Sequence, residues 1–474
     1  ANASFFVTDP KGTLIREMGG ALAELGYEIR AFDTIDFTRS MRFNPIAYIR
    51  DEAGVIRFAR GIVANTEGEA DHKGDPYWEK SERLLYSACI ALLRDWFPKR
   101  DYNLPSLLKL IAMAKAKEGD ESYRSPLDLL FLQIQDGKRY IENAGAGQPV
   151  GTPKAGGLSR SLAGATKAQG QWSWEPSKFR RNSDGLMPAK VGGLSDSEDF
   201  GLLQYNQFKS AAGKTLKSII ISCNVRLKPL SVKEVSALLS RDEMSLESMG
   251  DAGQKTCVFA SMSDTNPTFN FLFTLLMWQT VDVLCNTALE RHGGSLPTHV
   301  HFVFDEFANI GKLPDIDRFI AVIRSRNVSM SMILQSFEQL KGTYGEEKAL
   351  SIRACCDTTL FLGSTLFGTN EEISKMLGNQ TIASLTLNDT EGQNKSTTVN
   401  RTIFERPLML PDEVGRLSRR KALLLIAGTY PFQDDKYDAA QHPRWAEVEP
   451  GHKGSIYAKP FDFGAYAAGM REVV

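Results

Sequence analysis

The chain has 474 residues, enough for two or three domains and a sizeable buried core. Its 42% apolar and 24% charged residues and mean hydropathy of -0.25 are ordinary for a globular protein. A formal net charge of -1 excludes a global basic field, so any nucleic-acid contact has to be local.

Ser4 to Thr8 is a short apolar strand running into Asp9-Pro10-Lys11-Gly12, a turn by its chemistry, with Pro at i+1 and Gly at i+3. Leu14, Ile15, Met18, Leu22 and Leu25 then share one helix face, Gly26 is the stop, and Glu28 to Phe32 is the next strand. The right-handed crossover rule makes the two strands a parallel pair.

From about Ile49 to Ser248 helical periodicity takes over: Glu79 to Trp96, Leu104 to Ala116, Ser125 to Gln135, Leu203 to Leu227 and Ser231 to Leu239. The last of these opens with a Ser231-x-x-Glu234 capping box. Asn143 to Lys190 breaks the pattern, being rich in Gly, Ser, Pro and Ala, and reads as a long loop. It carries Lys154, Arg160, Lys167, Lys178, Arg180, Arg181 and Lys190 against Glu175 and Asp184, interleaved with Trp172, Trp174 and Phe179. Two readings stand: phosphate contacts with aromatic stacking on bases, or a loop tucking its tryptophans against its own domain. The second is favoured, because one loop's charge is a weak signal.

The α/β pattern resumes with a strand at Thr256 to Met262 and a long helix from Pro267 to Arg291. Its most apolar part, Phe269 to Cys285, is interrupted by Asn270, Gln279 and Asp282, so it reads as a buried helix, and no uninterrupted apolar run reaches membrane-spanning length. No signal peptide opens the chain. The cysteines Cys89, Cys223, Cys257, Cys285, Cys355 and Cys356 show no C-x-x-C spacing and read as core thiols of a reducing cytosol, and the histidines show no zinc-ligand spacing.

His299 to Gln335 is the most informative stretch. The apolar run Val300 to Phe304 delivers Asp305 and Glu306 where burial ends, the layout of a Walker B strand. There the first acid holds Mg²⁺, a hard cation that takes oxygen ligands, and the second orients or deprotonates the attacking water. Pro314 suits a first helical turn, Asp315 and Asp317 favour its positive end, and Ile316, Phe319, Ile320 and Ile323 form one face. Ser329 to Leu334 is the following strand, and Gln335 at its end is placed to sense a γ-phosphate or simply to satisfy backbone. Arg324 and Arg326 are candidates for an arginine finger reaching a neighbouring subunit, against solvated arginines at a helix end.

A Walker A loop, G-x-x-x-x-G-K-[ST], does not occur in these residues. Gly213-Lys214-Thr215 would need Gly at 208 and finds Phe208, and it lies inside what reads as one continuous helix, Tyr205 to Leu227. Further on, Thr358 to Gly363 and Ala422 to Ala427 read as strands and Glu371 to Leu377 as a helix. Asp389 to Val399 reads as a loop or hairpin tip, and after Pro431 the tail either packs on the core or frays.

DEFANIGKLPDIDRFIAVIRSRN followed by ILQSFEQL resembles the coupling proteins of type IV secretion and conjugation, the TraG/TraD family of ring-forming DNA translocases. The likeness extends to TDPKG at Thr8 to Gly12, FNP at Phe43 to Pro45 and RPLMLPDEVGRL at Arg406 to Leu417, and is weakest from about Ile141 to Ser197. Pattern and resemblance together imply an α/β, RecA-like core of P-loop NTPase type with a mainly parallel sheet, interrupted by an all-α insertion domain: core 1–48, insertion 49–250 with a loop at 143–190, core 251–474.

The resemblance further implies an ATP-driven translocase of single-stranded DNA with its bound relaxase, acting as a homo-hexamer with secretion-channel proteins at the cytoplasmic face of the membrane. ATP and Mg²⁺ are its implied cofactors, with Asp305 as metal ligand and Glu306, Gln335, Arg324 and Arg326 as catalytic candidates. Asp9 and Lys11 either approach the nucleotide or merely form a turn. In the resembled family the P-loop precedes the DPKG strand and membrane helices precede the motor, so this chain reads as a piece trimmed after the Walker A loop, inactive by itself and monomeric. The alternatives are a non-enzymatic substrate-docking module and a chromosome-segregation translocase.

Overall fold

The computed structural model describes residues 2–66, 76–120, 123–136, 138–142, 172–176, 195, 197–211, 213–263, 267–390, 396–448 and 460–473. In chain order its strands are β1 (Ala3–Asp9), β2 (Glu28–Asp33), β3 (Lys138–Glu142), β4 (Trp172–Pro176), β5 (Thr256–Ser261), β6 (His299–Phe304), β7 (Val328–Met332), β8 (Thr358–Phe361), β9 (Asn379–Thr390), β10 (Ser396–Pro407), β11 (Lys421–Ile426) and β12 (Phe432–Asp435).

Five of them form one parallel sheet in the order β2-β5-β1-β6-β7. β5 is buried at all six positions, as a strand covered on both faces must be. The expected pairing of the first two strands is therefore corrected. They are parallel, but β5, returning after more than two hundred residues of insertion, lies between them, pairing Val258 with Phe6 on one side and Arg30 on the other. Crossover rules fix the hand of a connection and leave open which later strand enters the gap.

One sheet face, with Phe6, Phe32, Val258, Phe302 and Phe304, joins a single core that runs into the helical insertion. The helix Asn270–Arg291 lies in that core, with Leu272 to Val281 buried throughout, so it is a core helix although its length and composition would let it span a membrane. The other face, with Ile29, Ala31, Cys257 and Phe259, is covered by the helix Leu14–Glu24 and by Phe463–Val473. The tail thus packs on the core: Tyr466 Oη accepts from Ile29 N at 3.1 Å, and Phe461 crosses Gly19. A Cβ on Gly19 would sit 2.4 Å from the Phe461 ring. Gly19→Val is therefore expected to cost about 1–3 kcal/mol by overpacking and to speed protease cleavage after Lys436; unchanged cleavage would show the tail to be seated otherwise.

The insertion is helical as expected: Glu52–Asn65, Pro76–Trp96, Leu104–Met113, Pro126–Asp136, Phe200–Lys209, Gly213–Arg226 and Lys233–Leu238. Two readings change. The helix through Tyr205 and Leu227 is broken, ending at Lys209 and restarting at Gly213, whose backbone freedom disfavours a helix interior. Gly213-Lys214-Thr215 thus opens a helix, but a helix and not a strand precedes it. The Ser231 capping box does not form: Ser231 Oγ donates to Lys228 O at 2.6 Å, and Val232 is the N-cap.

The residues flanking the long loop are clamped together. Asp128 accepts from Ser125 N and Oγ at 2.6 Å and from Tyr205 Oη at 2.9 Å, and pairs with Lys209 at 3.0 Å, while the Phe131 and Tyr205 rings stack at 3.9 Å. Within the span read as a loop, β4 pairs antiparallel with β3. The basic residues proposed for DNA, Lys154 to Lys190, lie outside the described residues.

The late strands also depart from expectation. β8 and β11 do not extend the parallel sheet; with β12 they form an antiparallel sheet ordered β12-β11-β8, packed on Ile373, Leu377 and Val414. Asp389 to Val399, read as a loop or hairpin tip, is the far end of such a hairpin, an antiparallel ribbon of β9 with β10, twelve residues per strand; residues 391–395 lie outside the described residues.

Candidate functional site

Parallel strands present their C-terminal ends together, and three of those ends are tied to one another here. Thr8 Oγ1, at the end of β1, donates to Asp305 O at 2.9 Å. Beyond β6, Ile333 N donates to Phe304 O at 2.9 Å and Phe307 N to Ile333 O at 3.0 Å, holding the acid turn against the chain leaving β7. Asp305, Glu306 and the Gln335 segment are thereby brought to one edge.

Glu306 adopts φ 51, a left-handed conformation that costs a non-glycine residue about 1–3 kcal/mol unless its surroundings impose it. The imposition is visible on both sides. Phe304 and Phe307 stack at 5.6 Å, Phe307 stacks on Tyr344 at 5.8 Å, and Tyr344 Oη accepts from Leu313 N at 3.1 Å. Asp305 Oδ1 accepts from Glu306 N at 3.1 Å, and Asn309 Nδ2 donates to Glu306 Oε2 at 3.0 Å. Sequence reading gave Thr8 and Asn309 no role at the site, although both lie inside the TDPKG and DEFANIGKLPDIDRF motifs that carry the resemblance. Gln335 is exposed, and its Oε1 accepts from Gln339 Nε2 at 3.3 Å.

The other candidates are placed differently. Asp9 is 1% exposed, and its carboxylate accepts from Thr13 N at 2.9 Å and Ile15 N at 3.0 Å, so it caps the start of the helix Leu14–Glu24. Gly12 closes the turn by donating to Asp9 O at 3.1 Å with φ +63, and Lys11 stands exposed on it. Arg324 and Arg326 precede β7 and so lie at the N-terminal end of the sheet, about 17 Å of strand away from the acids. Arg326 Nη1 donates to Gly294 O at 3.0 Å; Arg324 is exposed. Pro314 lies before its helix, not in it. Asp315, at φ 53, is the N-cap residue and pairs with Arg60 of the insertion at 3.1 Å.

A second polar feature runs along the same two strands. Asn327 Nδ2 donates to Leu296 O, which leaves Oδ1 to accept from His299 Nδ1 at 3.0 Å. His299 Nε2 then accepts from Ser329 Oγ at 2.8 Å, Ser329 Oγ accepts from His301 Nδ1 at 2.5 Å, and Ser331 Oγ donates to His301 Nε2 at 3.1 Å. The chain closes with both imidazoles neutral. Burial, and then the neighbouring His299, lower the His301 pKa from its ordinary 6.5. The unfolded chain consequently binds a proton first, so this contribution to stability is complete above pH 6.5 and is lost as pH falls through that value towards the lowered one. Thermal unfolding from pH 8 to 5 is expected to show a smaller fall for His301→Gln than for the wild type; equal falls would remove His301 from the account.

The acid pair offers what a hydrated Mg²⁺ requires, hard oxygen donors at a half-buried turn. The described residues hold no cluster of three or more metal-binding side chains. The sequence supplies no phosphate-cradling G-x-x-x-x-G-K-[ST] loop, so the fit covers the metal and water side of a nucleotide site, not its phosphate side.

Residues 1–438 match the family model described as type IV secretory system conjugative DNA transfer. Protein VirD4 of Rhizobium rhizogenes is 26% identical over 200 residues, 42% of this chain and 29% of that protein. Conjugal transfer protein TraG of Agrobacterium fabrum is 22% identical over 243 residues, 50% of this chain and 35% of its own length. The matches thus cover about a third of these relatives. Two crystal forms of the bacterial conjugative coupling protein TrwBdeltaN70 share the fold, at TM-scores of 0.51 and 0.53 and 16% and 17% identity. Each match covers 93% of this chain, and 80% and 81% of theirs.

Proposed function

Because the chain belongs to the type IV secretory system conjugative DNA transfer family, we propose that it is the motor part of a coupling protein that moves DNA by hydrolysing ATP. The observation that carries this is the strained, braced Glu306 beside Asp305 at the ends of three parallel strands. In this reading Mg²⁺, when bound with nucleotide, neutralises phosphate charge. Asp305 holds its water shell, Glu306 orients the attacking water and Gln335 reports the phosphate from the next strand. Asp9 and Gly12 set the β1 turn beside them, with Lys11 on its exposed side.

β7 is an open edge of the parallel sheet among the described residues, with Gln335 just beyond its end. A strand added there would place a phosphate-binding loop beside Gln335, one strand away from Asp305. Turnover is accordingly proposed for the protein with such a loop and not for these 474 residues alone. Arg324 stands at the far end of the sheet, so any finger role is across subunits, in a ring such as a homo-hexamer; the tie of Arg326 to Gly294 makes it the weaker candidate. Single-stranded DNA carrying a relaxase, the secretion channel and a place at the cytoplasmic face of the membrane complete the proposal.

The competing reading is a docking module without hydrolysis, favoured by the missing Walker A pattern. Nucleotide turnover by a form carrying the loop separates the two. Hydrolysis lost in Asp305→Asn supports the motor, and a form that binds its substrates without ever turning over nucleotide supports docking.

A further inference from the structure

Gln335 sits on a short connection, and both ends of that connection are pinned. On the strand side the backbone of Ile333 is bonded to Phe304 and Phe307. On the other side the helix Phe337–Tyr344 begins, with Ser336 as its N-cap. The side chain of Gln335 is itself held from that helix, by Gln339 Nε2 at 3.3 Å. Where the helix starts therefore decides where Gln335 stands.

The first N–H groups of a helix have no partner within it. Ser336 Oγ accepts from Gln339 N at 3.3 Å, whereas Phe337 N donates outside the helix, to Thr369 Oγ1 at 3.1 Å. Thr369 belongs to the helix Phe367–Leu377 and is 4% exposed. Its hydroxyl also donates to Glu338 Oε2 at 2.6 Å, so one side chain spends its donor and an acceptor on the same helical turn. A second tie runs beside the first. Arg353 lies over the Phe337 ring, 3.9 Å from its centroid, and pairs with Glu372 of the helix Phe367–Leu377.

The helix that makes this clasp is itself firmly backed. Its Ile373 and Leu377 pack with Phe361, Leu423 and Leu425 of the antiparallel sheet, the Phe337 ring lies against the same cluster, and Ser374 Oγ donates to Met409 O at 2.5 Å just beyond β10. Water would satisfy the half-buried Phe337 N–H almost as well. A hydroxyl on a second, anchored helix fixes its position too. We propose that Thr369 is a positioning residue for hydrolysis: its clasp on the first turn of the helix Phe337–Tyr344 holds Gln335 in place relative to the acid turn, and so ties the sensor to the antiparallel sheet. Thr369 acts through Gln335, so its effect requires that side chain. The proposal rests on the motor reading.

The test is a kinetic cycle in the form carrying a phosphate-binding loop, with Thr369→Val, Thr369→Ser and Gln335→Ala. Valine keeps the shape of the side chain and loses the clasp. It is expected to lower kcat for ATP hydrolysis about 10–100-fold, up to the loss produced by a misplacement of about 1 Å, with KM for ATP nearly unchanged. Serine restores the hydroxyl and is expected to recover most of the rate. In the Gln335→Ala background Thr369→Val is expected to cost nothing more, because the two side chains act as one unit; a merely structural role would lower both backgrounds by the same factor. Thr369→Ala serves the same cycle if valine brings the unfolding midpoint below the assay temperature. Full kcat in Thr369→Val or in Gln335→Ala, no recovery with serine, or equal losses in both backgrounds would overturn this proposal and leave the motor standing. No hydrolysis by the unsubstituted loop-bearing form would instead sink the motor reading, and this role with it.

Discussion

Glu306→Gln, in a form of the protein that carries a phosphate-binding loop, is expected to lower kcat for ATP hydrolysis by about 10²–10⁴-fold, the range for loss of a positioned general base. Nucleotide affinity is expected to change little, because the amide keeps the size and hydrogen-bonding reach of the side chain. The brace around position 306 is what makes the substitution clean. The hydrogen bond from Asn309, the stacked Phe304, Phe307 and Tyr344 rings and the Phe307–Ile333 bond impose φ 51 without needing the carboxylate's charge. Fold and Mg²⁺ affinity should therefore persist while turnover disappears. Unchanged kcat in this variant would remove Glu306 from the chemistry and reduce its strained backbone to a feature of the turn.

Glu82→Leu is expected to destabilise the helical insertion by about 3–5 kcal/mol, the cost of stranding a buried charge. Glu82 is 1% exposed on the helix Pro76–Trp96, and its Oε2 lies 2.9 Å from Arg226 Nε on the helix Gly213–Arg226. Ser222 Oγ donates to its other oxygen. Removing the carboxylate leaves a guanidinium, itself only 9% exposed, without its counter-ion. Against a typical total of about 5–15 kcal/mol, that loss empties a large part of the folded state. The pair Glu82→Leu with Arg226→Met should recover most of it, because both charges are then gone and apolar packing replaces them. A double variant no more stable than the single one would place the cost in packing instead.

Much of this architecture is legible in the residues because local signals and tertiary structure agree. The run Val300 to Phe304 is strand in sequence and in space, the Ile316, Ile320 and Ile323 face is buried as its period requires, and the Asp9 to Gly12 turn closes as its chemistry dictates. The family resemblance carried by DEFANIGKLPDIDRF and RPLMLPDEVGRL agrees with the family match over residues 1–438.

What was not legible depends on long-range pairing. Short apolar runs mark β1, β2 and β5 as strands but say nothing of the partner that arrives after the insertion, so β5 between β1 and β2 was invisible. β8 and β11 have the same apolar look as the parallel strands, and only their register reveals an antiparallel sheet. At the site, no residue type announces that Glu306 takes φ 51, or that the Asp9 carboxylate is consumed by Thr13 and Ile15 N–H groups. Both follow from what surrounds the residue rather than from the residue itself.

The most direct test of the motor assignment is the rate of ATP hydrolysis by a form carrying the phosphate-binding loop, measured with and without single-stranded DNA beside the 474-residue chain. The account predicts hydrolysis that DNA stimulates in the first and none in the second. No hydrolysis by the loop-bearing form with DNA present, under conditions where it assembles into rings, would contradict it.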